Sequence, residues 1–148
     1  MLSSFIKKLM FARQFLIIDG KIEILGKRQV MLPADVVQEL QKSAKADSLK
    51  VLIKKNIEDY AKKLGAGEEG LLKNISDIFE TYGLGKMEIV DLDNKNKKCL
   101  VRILNPSIEG NSVLLDSILS GIFSYLFKKE VKAEKTKSSA QLIEYVVK

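Results

Sequence analysis

Apolar positions along the chain change period several times, and each change marks an element. Leu2, Phe5, Ile6, Leu9 and Ala12 recur at helical spacing, and Ser3 or Ser4 can cap them, which predicts a short amphipathic helix. Residues 15–18 and 22–25 flank Asp19-Gly20. That pair supplies the positive φ values of a tight turn, so the stretch reads as a β-hairpin. Pro33 then opens a helix over 34–44. Asp47 or Ser48 caps a third helix, with Leu49, Leu52, Ile53, Ile57, Tyr60, Ala61 and Leu64 mostly three and four apart, and Gly65 and Gly67 end it. A fourth runs over 68–82 with Leu71, Leu72, Ile75, Ile78, Phe79 and Tyr82 on one face, stopped by Gly83.

The pattern then shortens. Residues 86–92 and 98–104 are β-rich runs joined by a polar loop over 93–97, and Asn105-Pro106 breaks the second run. Ser112 caps a helix over 113–129 that is apolar on all sides, as expected of a helix buried on most faces or lying at a subunit contact. Residues 131–136 and 140–147 form a last strand pair. Strands that come in pairs, not singly between helices, predict an α+β fold, with helices packed on an antiparallel sheet built from hairpins. The expected organisation is an N-terminal helix and hairpin over 1–32, as a possible dimer arm, followed by the main domain over 33–148.

Length and composition bound the chemistry. A chain of 148 residues, 46% hydrophobic, is one ordinary domain with a sizeable core. The absence of His removes Ser-His and Cys-His catalysis, HExxH zinc sites and His-ligated haem. A single Cys removes an internal disulfide, a CxxC pair and Cys-rich zinc sites. The net charge of +6 is divided equally, +3 in residues 1–85 and +3 in 86–148. Only Arg13, Arg28 and Arg102 offer the bidentate guanidinium that base readout favours, so a solvated Lys-rich surface outweighs nucleic-acid binding. Lys7, Lys8 and Arg13 interrupt the apolar start, and Val113–Phe127 contains Asp116 and is shorter than the roughly 20 residues that span a bilayer. A soluble cytoplasmic protein with a reduced Cys99 is the expectation.

Polar motifs are weak. Gly65-Ala66-Gly67-Glu68-Glu69-Gly70 has a dinucleotide-type spelling but lies between two helices and carries two Glu, so it reads as a helix stop and turn. Gly83-Leu84-Gly85 reads as a helix stop, with close backbone approach to a ligand at the sheet edge as the alternative. Asp91, Asp93 and Asn94 could hold a hard cation but for Lys95, Lys97 and Lys98 beside them. Cys99 opens an apolar strand and reads as a small hydrophobe. Lys128, Lys129, Lys132, Lys135 and Lys137 read as the exposed face of an edge hairpin. No catalytic constellation, metal set or cofactor motif emerges. The informative residues are apolar: Phe79, Tyr82, Ile118, Ile122 and Phe123, on two helices that must meet the sheet. They either close a dry core, which residue types favour, or line a pocket for an apolar ligand.

Several stretches in the C-terminal half resemble the 4-vinyl reductase domain family. They are Tyr82-Gly83-Leu84-Gly85-Lys86-Met87-Glu88-Ile89, the apolar helix over 115–127 with Gly121, Val131-Lys132-Ala133-Glu134, and Ile143-Glu144-Tyr145-Val146. The N-terminal hairpin and Pro33 resemble the leader of archaeal proteins of this kind. The resemblance implies a helices-on-antiparallel-sheet fold distantly like subunits of the TRAPP vesicle-tethering complex. It further implies binding of small hydrocarbon or aromatic molecules as a sensor or accessory module, and frequent dimers. The paired cysteines of many family members are missing, with Lys137 and Ile143 near their places, so no metal or thiol role carries over; nor does reductase activity, since a fold does not transmit chemistry. The resulting expectation is a non-catalytic homodimer. It binds an apolar small molecule between helices and sheet through Phe79, Tyr82, Ile118, Ile122 and Phe123, with Gly121 allowing close approach and residues 1–18 forming the dimer contact. A closed-core interaction scaffold is the first alternative, and weak Lys-mediated nucleic-acid binding the second.

Overall fold

The computed structural model describes residues 2–65, 67–108 and 112–148. Met1, Ala66 and the Glu68 side chain, the latter two within the Gly-rich spelling, lie outside the described residues. The chain is α+β, with five α-helices and two antiparallel sheets among the described residues. It divides into two compact units, Met1–Pro33 and Ala34–Lys148.

In the first unit, α1 (Ser4–Phe11) is capped by the Ser3 hydroxyl, which accepts from the Ile6 N–H. It precedes a three-stranded sheet, β1 (Phe15–Ile18), β2 (Lys21–Ile24) and β3 (Lys27–Gln29), in sequence order. The expected hairpin is therefore a three-stranded meander. Leu25 (φ 51°) and Gly26 (φ 75°) make a second tight turn like Asp19-Gly20. Leu is a poor residue for positive φ, but here its side chain is buried with Phe5, Leu9 and Ile24, which offsets the local strain. Nothing in the local pattern announces that turn.

The second unit begins with α2 (Ala34–Leu40), shorter than expected because the chain tightens into a 3-10 turn over Gln41–Ser43. Next, α3 (Ala46–Leu64) starts after Lys45, with no side-chain cap; Asp47 lies in its first turn, where its charge meets the helix dipole, and is not the cap the sequence suggested. Then α4 (Glu68–Thr81) leads into a sheet of β4 (Lys86–Asp93), β5 (Lys98–Leu104), β6 (Ala133–Ser138) and β7 (Leu142–Val147), in the order β4-β5-β7-β6. The last hairpin starts two residues later than its pattern suggested, and the gap between β5 and β6 is bridged by α5 (Val113–Phe127).

The register explains the faces. Met87, Ile103 and Ile143 line up across three strands, as do Val101 with Tyr145 and Cys99 with Val147 and Ala133, and all of them are buried. The alternate positions carry Glu88, Arg102, Glu144 and Lys137, where Arg102 Nε donates to Glu144 at 2.9 Å. That guanidinium, with help from Lys137 and Thr136, holds the Glu144 carboxyl below its ordinary range.

The helix α5 is apolar all round because it is covered on more than one side. Ser120 Oγ accepts from the Ala133 N–H of β6, and Ser124 Oγ accepts from the Val131 N–H, which stitches one side to the sheet. On another side it packs along α3, where Ser117 Oγ donates to the Ala46 carbonyl. Gly121 faces α3: a Cβ there would lie 2.8 Å from Ile53 Cγ2 and 3.0 Å from the Lys50 carbonyl oxygen. The N-terminus of α5 is held by Ser112, whose hydroxyl accepts from Leu115, and by buried Gln41, whose Oε1 accepts from the Ser112 hydroxyl and the Leu114 N–H.

Candidate functional site

Helices α3, α4 and α5 meet along a seam. Ile53, Asn56, Ile57 and Tyr60 contribute from α3, Ile75, Ile78 and Phe79 from α4 with its cap Tyr82, and Ile118 and Ile122 from α5. The residues repeat at three and four because each helix turns one stripe to the same line. Phe79, Tyr82, Ile118 and Ile122 are thus brought together; Phe123 is not. It is fully buried on another side of α5, its ring centroid 5.6 Å from that of Phe127. The seam lies between helices, whereas the sequence pattern had suggested helix against sheet. The physical reason is that a helix apolar on every side does not reveal which stripe meets which neighbour.

The seam is narrow. Its cavity volume is about 40 Å³, room for about one water molecule. Its polar lining is Asn56 and a phenol pair: the hydroxyls of Tyr60 and Tyr82 lie 2.6 Å apart. Tyr60 is 2% exposed and Tyr82 40%, so Tyr82 stands at the mouth. Buried phenols need a hydrogen-bond partner, and the pair supplies one within mainly apolar walls. Sequence reasoning placed Tyr60 on an apolar stripe without marking it as a site residue. The two tyrosines are 22 positions apart, so no local spacing signals the contact.

The other candidate chemistry is accounted for in place. Asp93 accepts from the Asn96 backbone N–H at 2.9 Å and from its side-chain amide at 2.6 Å, which lowers the Asp93 carboxyl below its ordinary range and closes the loop. Cys99 is buried, and loss of hydration pushes its thiol up to about 12, leaving it protonated. Gly85 meets backbone: a Cβ would lie 2.7 Å from the Leu104 carbonyl oxygen, so the close approach there is to β5 and not to a ligand. Among the described residues no group of three or more His, Cys, Asp or Glu is placed to hold a metal ion. No helix of the described residues is long and apolar enough to cross a membrane.

One polar pair stands out at the core, the buried Tyr145 and the half-buried Asp116. The Tyr145 hydroxyl is fully buried and has no partner in hydrogen-bond geometry, while the Asp116 carboxyl lies near enough to act on it. Burial, foremost, and the Asp116 charge both raise the Tyr145 phenol above its ordinary range. Burial likewise raises Asp116, against opposing effects of Tyr145 and Lys135.

After α5, Glu130 bridges Lys50 at 2.7 Å and Lys54 at 2.8 Å, which ties the end of α5 to α3. Hydrogen bonds from these two lysines lower its carboxyl from 4.5 to about 2. A depressed folded-state pKa means that this contribution to stability is complete above about pH 4.5 and is lost as the pH falls toward about 2. Acid unfolding curves of Glu130→Gln should accordingly be flatter than those of the parent chain in that window. Parallel curves would show that the bridge does not act on stability.

No protein-family model matches the sequence, and no curated protein matches it. Among solved structures, the chain is similar to the phenol-responsive sensory domain of the transcription activator PoxR, crystallised with phenol. The TM-score is 0.65 at 11% identity, over 99% of this chain and 91% of that one. It also aligns with a vinyl-4-reductase family protein from Methanocaldococcus jannaschii, at TM-score 0.48 and 17% identity over 82% and 83% of the two chains. A trafficking protein particle complex subunit 3 from Naegleria fowleri, covalently bound to palmitic acid, aligns at TM-score 0.45 and 11% identity over 78% and 88%. The chain has the α+β fold of the PoxR sensory domain.

Proposed function

We propose that this chain is a non-catalytic small-molecule-binding domain that takes an apolar, aromatic-sized ligand into the α3–α4–α5 seam and acts as a homodimer. The observation that carries the reading is the composition of the seam: mainly aliphatic and aromatic walls, with Asn56 and the Tyr60–Tyr82 hydroxyl pair as its polar groups. An apolar body with one hydroxyl would bury its ring on Ile53, Phe79, Ile118 and Ile122 and exchange hydrogen bonds with the two phenols. The shared fold with a phenol-responsive sensory domain supports a ligand of this class. Since the seam holds only about 40 Å³, the ligand must open it, and the exposed Tyr82 is the side chain best placed to swing aside. The dimer reading draws support from the first unit, where Phe11 is 94%, Val30 82% and Met31 77% exposed.

Native mass spectrometry tests both parts in one measurement. The expected result is a dimer mass that gains one phenol or p-cresol per protomer, with Tyr82→Phe binding about three- to tenfold more weakly through loss of one hydrogen bond. A monomer mass would remove the dimer. Absence of any phenol, cresol or benzene adduct would favour a second reading, a closed-core interaction scaffold, for which the small volume of the seam speaks.

A further inference from the structure

A second concavity lies beside the seam, toward the start of α4 and the end of α5. It is an open groove of about 530 Å³, within the size range of small-molecule sites, roughly 300–1,000 Å³. Ala61, Leu71 and Leu126 give it an apolar floor, with Leu71 6% exposed, and Gly67, Ser124 and Tyr125 also line it. Its rim is cationic, formed by Lys54, Lys62 and Lys128.

Two of the three rim lysines are paired within the chain and one is not. Lys54 is paired with Glu130 at 2.8 Å, and Lys62 with Glu58 at 2.9 Å along its own helix. Lys128 has no carboxylate partner among the described residues. The Lys62–Glu58 pair is exposed to water, where an ion pair contributes little. Lysine stems can lie on apolar surface while their ammonium groups turn to a charge above it. A lysine face that only kept the protein soluble would need no sunken aliphatic floor between its ammonium groups.

We infer that this groove binds an amphipathic organic anion, with an alkyl or aryl body on Ala61, Leu71 and Leu126 and a carboxylate or phosphate head at Lys62 and Lys128. The inference is independent of ligand binding in the seam, because none of these residues lines it.

Isothermal titration of the full chain with sodium decanoate, decyl phosphate, 1-decanol and sodium acetate, all below micelle-forming concentrations, tests it. Decanoate or decyl phosphate should bind, with decanol at least about tenfold weaker, the size expected for losing one hydrogen bond to a charged group, and acetate at least about tenfold weaker, the size expected for losing the burial of about two methylenes. Preference between the two anions then identifies the head group. Lys62→Glu and Lys128→Glu, made singly, should each weaken the preferred anion by at least about tenfold, again from loss of one hydrogen bond to a charged group. Lys95→Glu, an equal kind of charge change on the exposed β4–β5 loop, should leave binding unaltered, and so should Tyr82→Phe. Equal binding of decanol would overturn the cationic rim, and equal binding of acetate would overturn the apolar floor. Equal weakening by Lys95→Glu would reduce the effect to net charge, and loss of binding in Tyr82→Phe would move the ligand into the seam; either would sink the proposal.

Discussion

Gly85→Ala is expected to destabilise the protein by about 3 kcal/mol, the sum of backbone strain and forced overlap. Gly85 opens the step into β4 at φ 113°, a region that residues with a Cβ rarely enter. The added carbon would sit 2.7 Å from the Leu104 carbonyl oxygen, 2.9 Å from Ile103 Cγ2 and 3.1 Å from the Asn105 carbonyl oxygen. Two of these three are backbone atoms at the end of β5, which cannot turn away as a side chain can, so the first rung of the β4–β5 pair would have to separate. For a domain of this size the midpoint of thermal unfolding should fall by roughly 6–12 °C. Gly83→Ala is the matched control. Its φ of 74° is also positive, but nothing lies within 4 Å of the added carbon, so the cost should stay near 1–2 kcal/mol. Chemical denaturation of the two variants side by side decides the matter. If Gly85→Ala costs no more than Gly83→Ala, the contact with β5 does not constrain this step.

Gly121→Leu should cost about 3 kcal/mol or more by overpacking the place where α5 crosses α3. Gly121→Ala is the more informative substitution, since two effects oppose. Ala favours a helix over Gly by about 1 kcal/mol. Against that, its Cβ would lie 2.8 and 2.9 Å from Ile53 Cγ2 and Cβ and 3.0 Å from the Lys50 carbonyl oxygen. The β-branched Ile53 is stiff at the contact, so α3 must shift and overlap should win, leaving a net loss of about 1–2 kcal/mol. The origin of the loss can be isolated with a double-mutant cycle. Ile53→Ala removes the methyl group that the new Cβ would strike, so the pair should be about 1 kcal/mol more stable than the sum of the single changes. Strict additivity would show that Gly121 is needed for something other than the approach of Ile53.

Much of the architecture is legible locally. The helical stripes of α3 and α4, the loop between β4 and β5, and the Ser112 cap of α5 each rest on interactions within a few residues. The meander's β3 is not legible, because it has three residues and depends on a turn through Leu25, a residue whose turn conformation is offset by burial in its own unit. The candidate site was legible in part for the same reason. Phe79, Tyr82, Ile118 and Ile122 could be chosen as apolar stripe residues, but Phe123 has the same character and points elsewhere. Tyr60 became visible as the partner of Tyr82 only when α3 and α4 were brought together.

The sequence by itself determined the class of the fold and the kind of chemistry on offer. Periodicity placed paired strands beside amphipathic helices, and the lack of His with a single Cys left apolar packing as the main resource. Both follow from short-range geometry and composition, which no tertiary contact can alter. The tertiary structure alone decided which stripes face each other. It set the helix–helix seam and its small volume, the Tyr60–Tyr82 pair, the fit of Gly121 against Ile53, and the sunken floor between Lys54, Lys62 and Lys128. These are contacts between residues far apart in the chain. They depend on how side-chain volumes fill space once the helices dock, and no period along one segment carries that information.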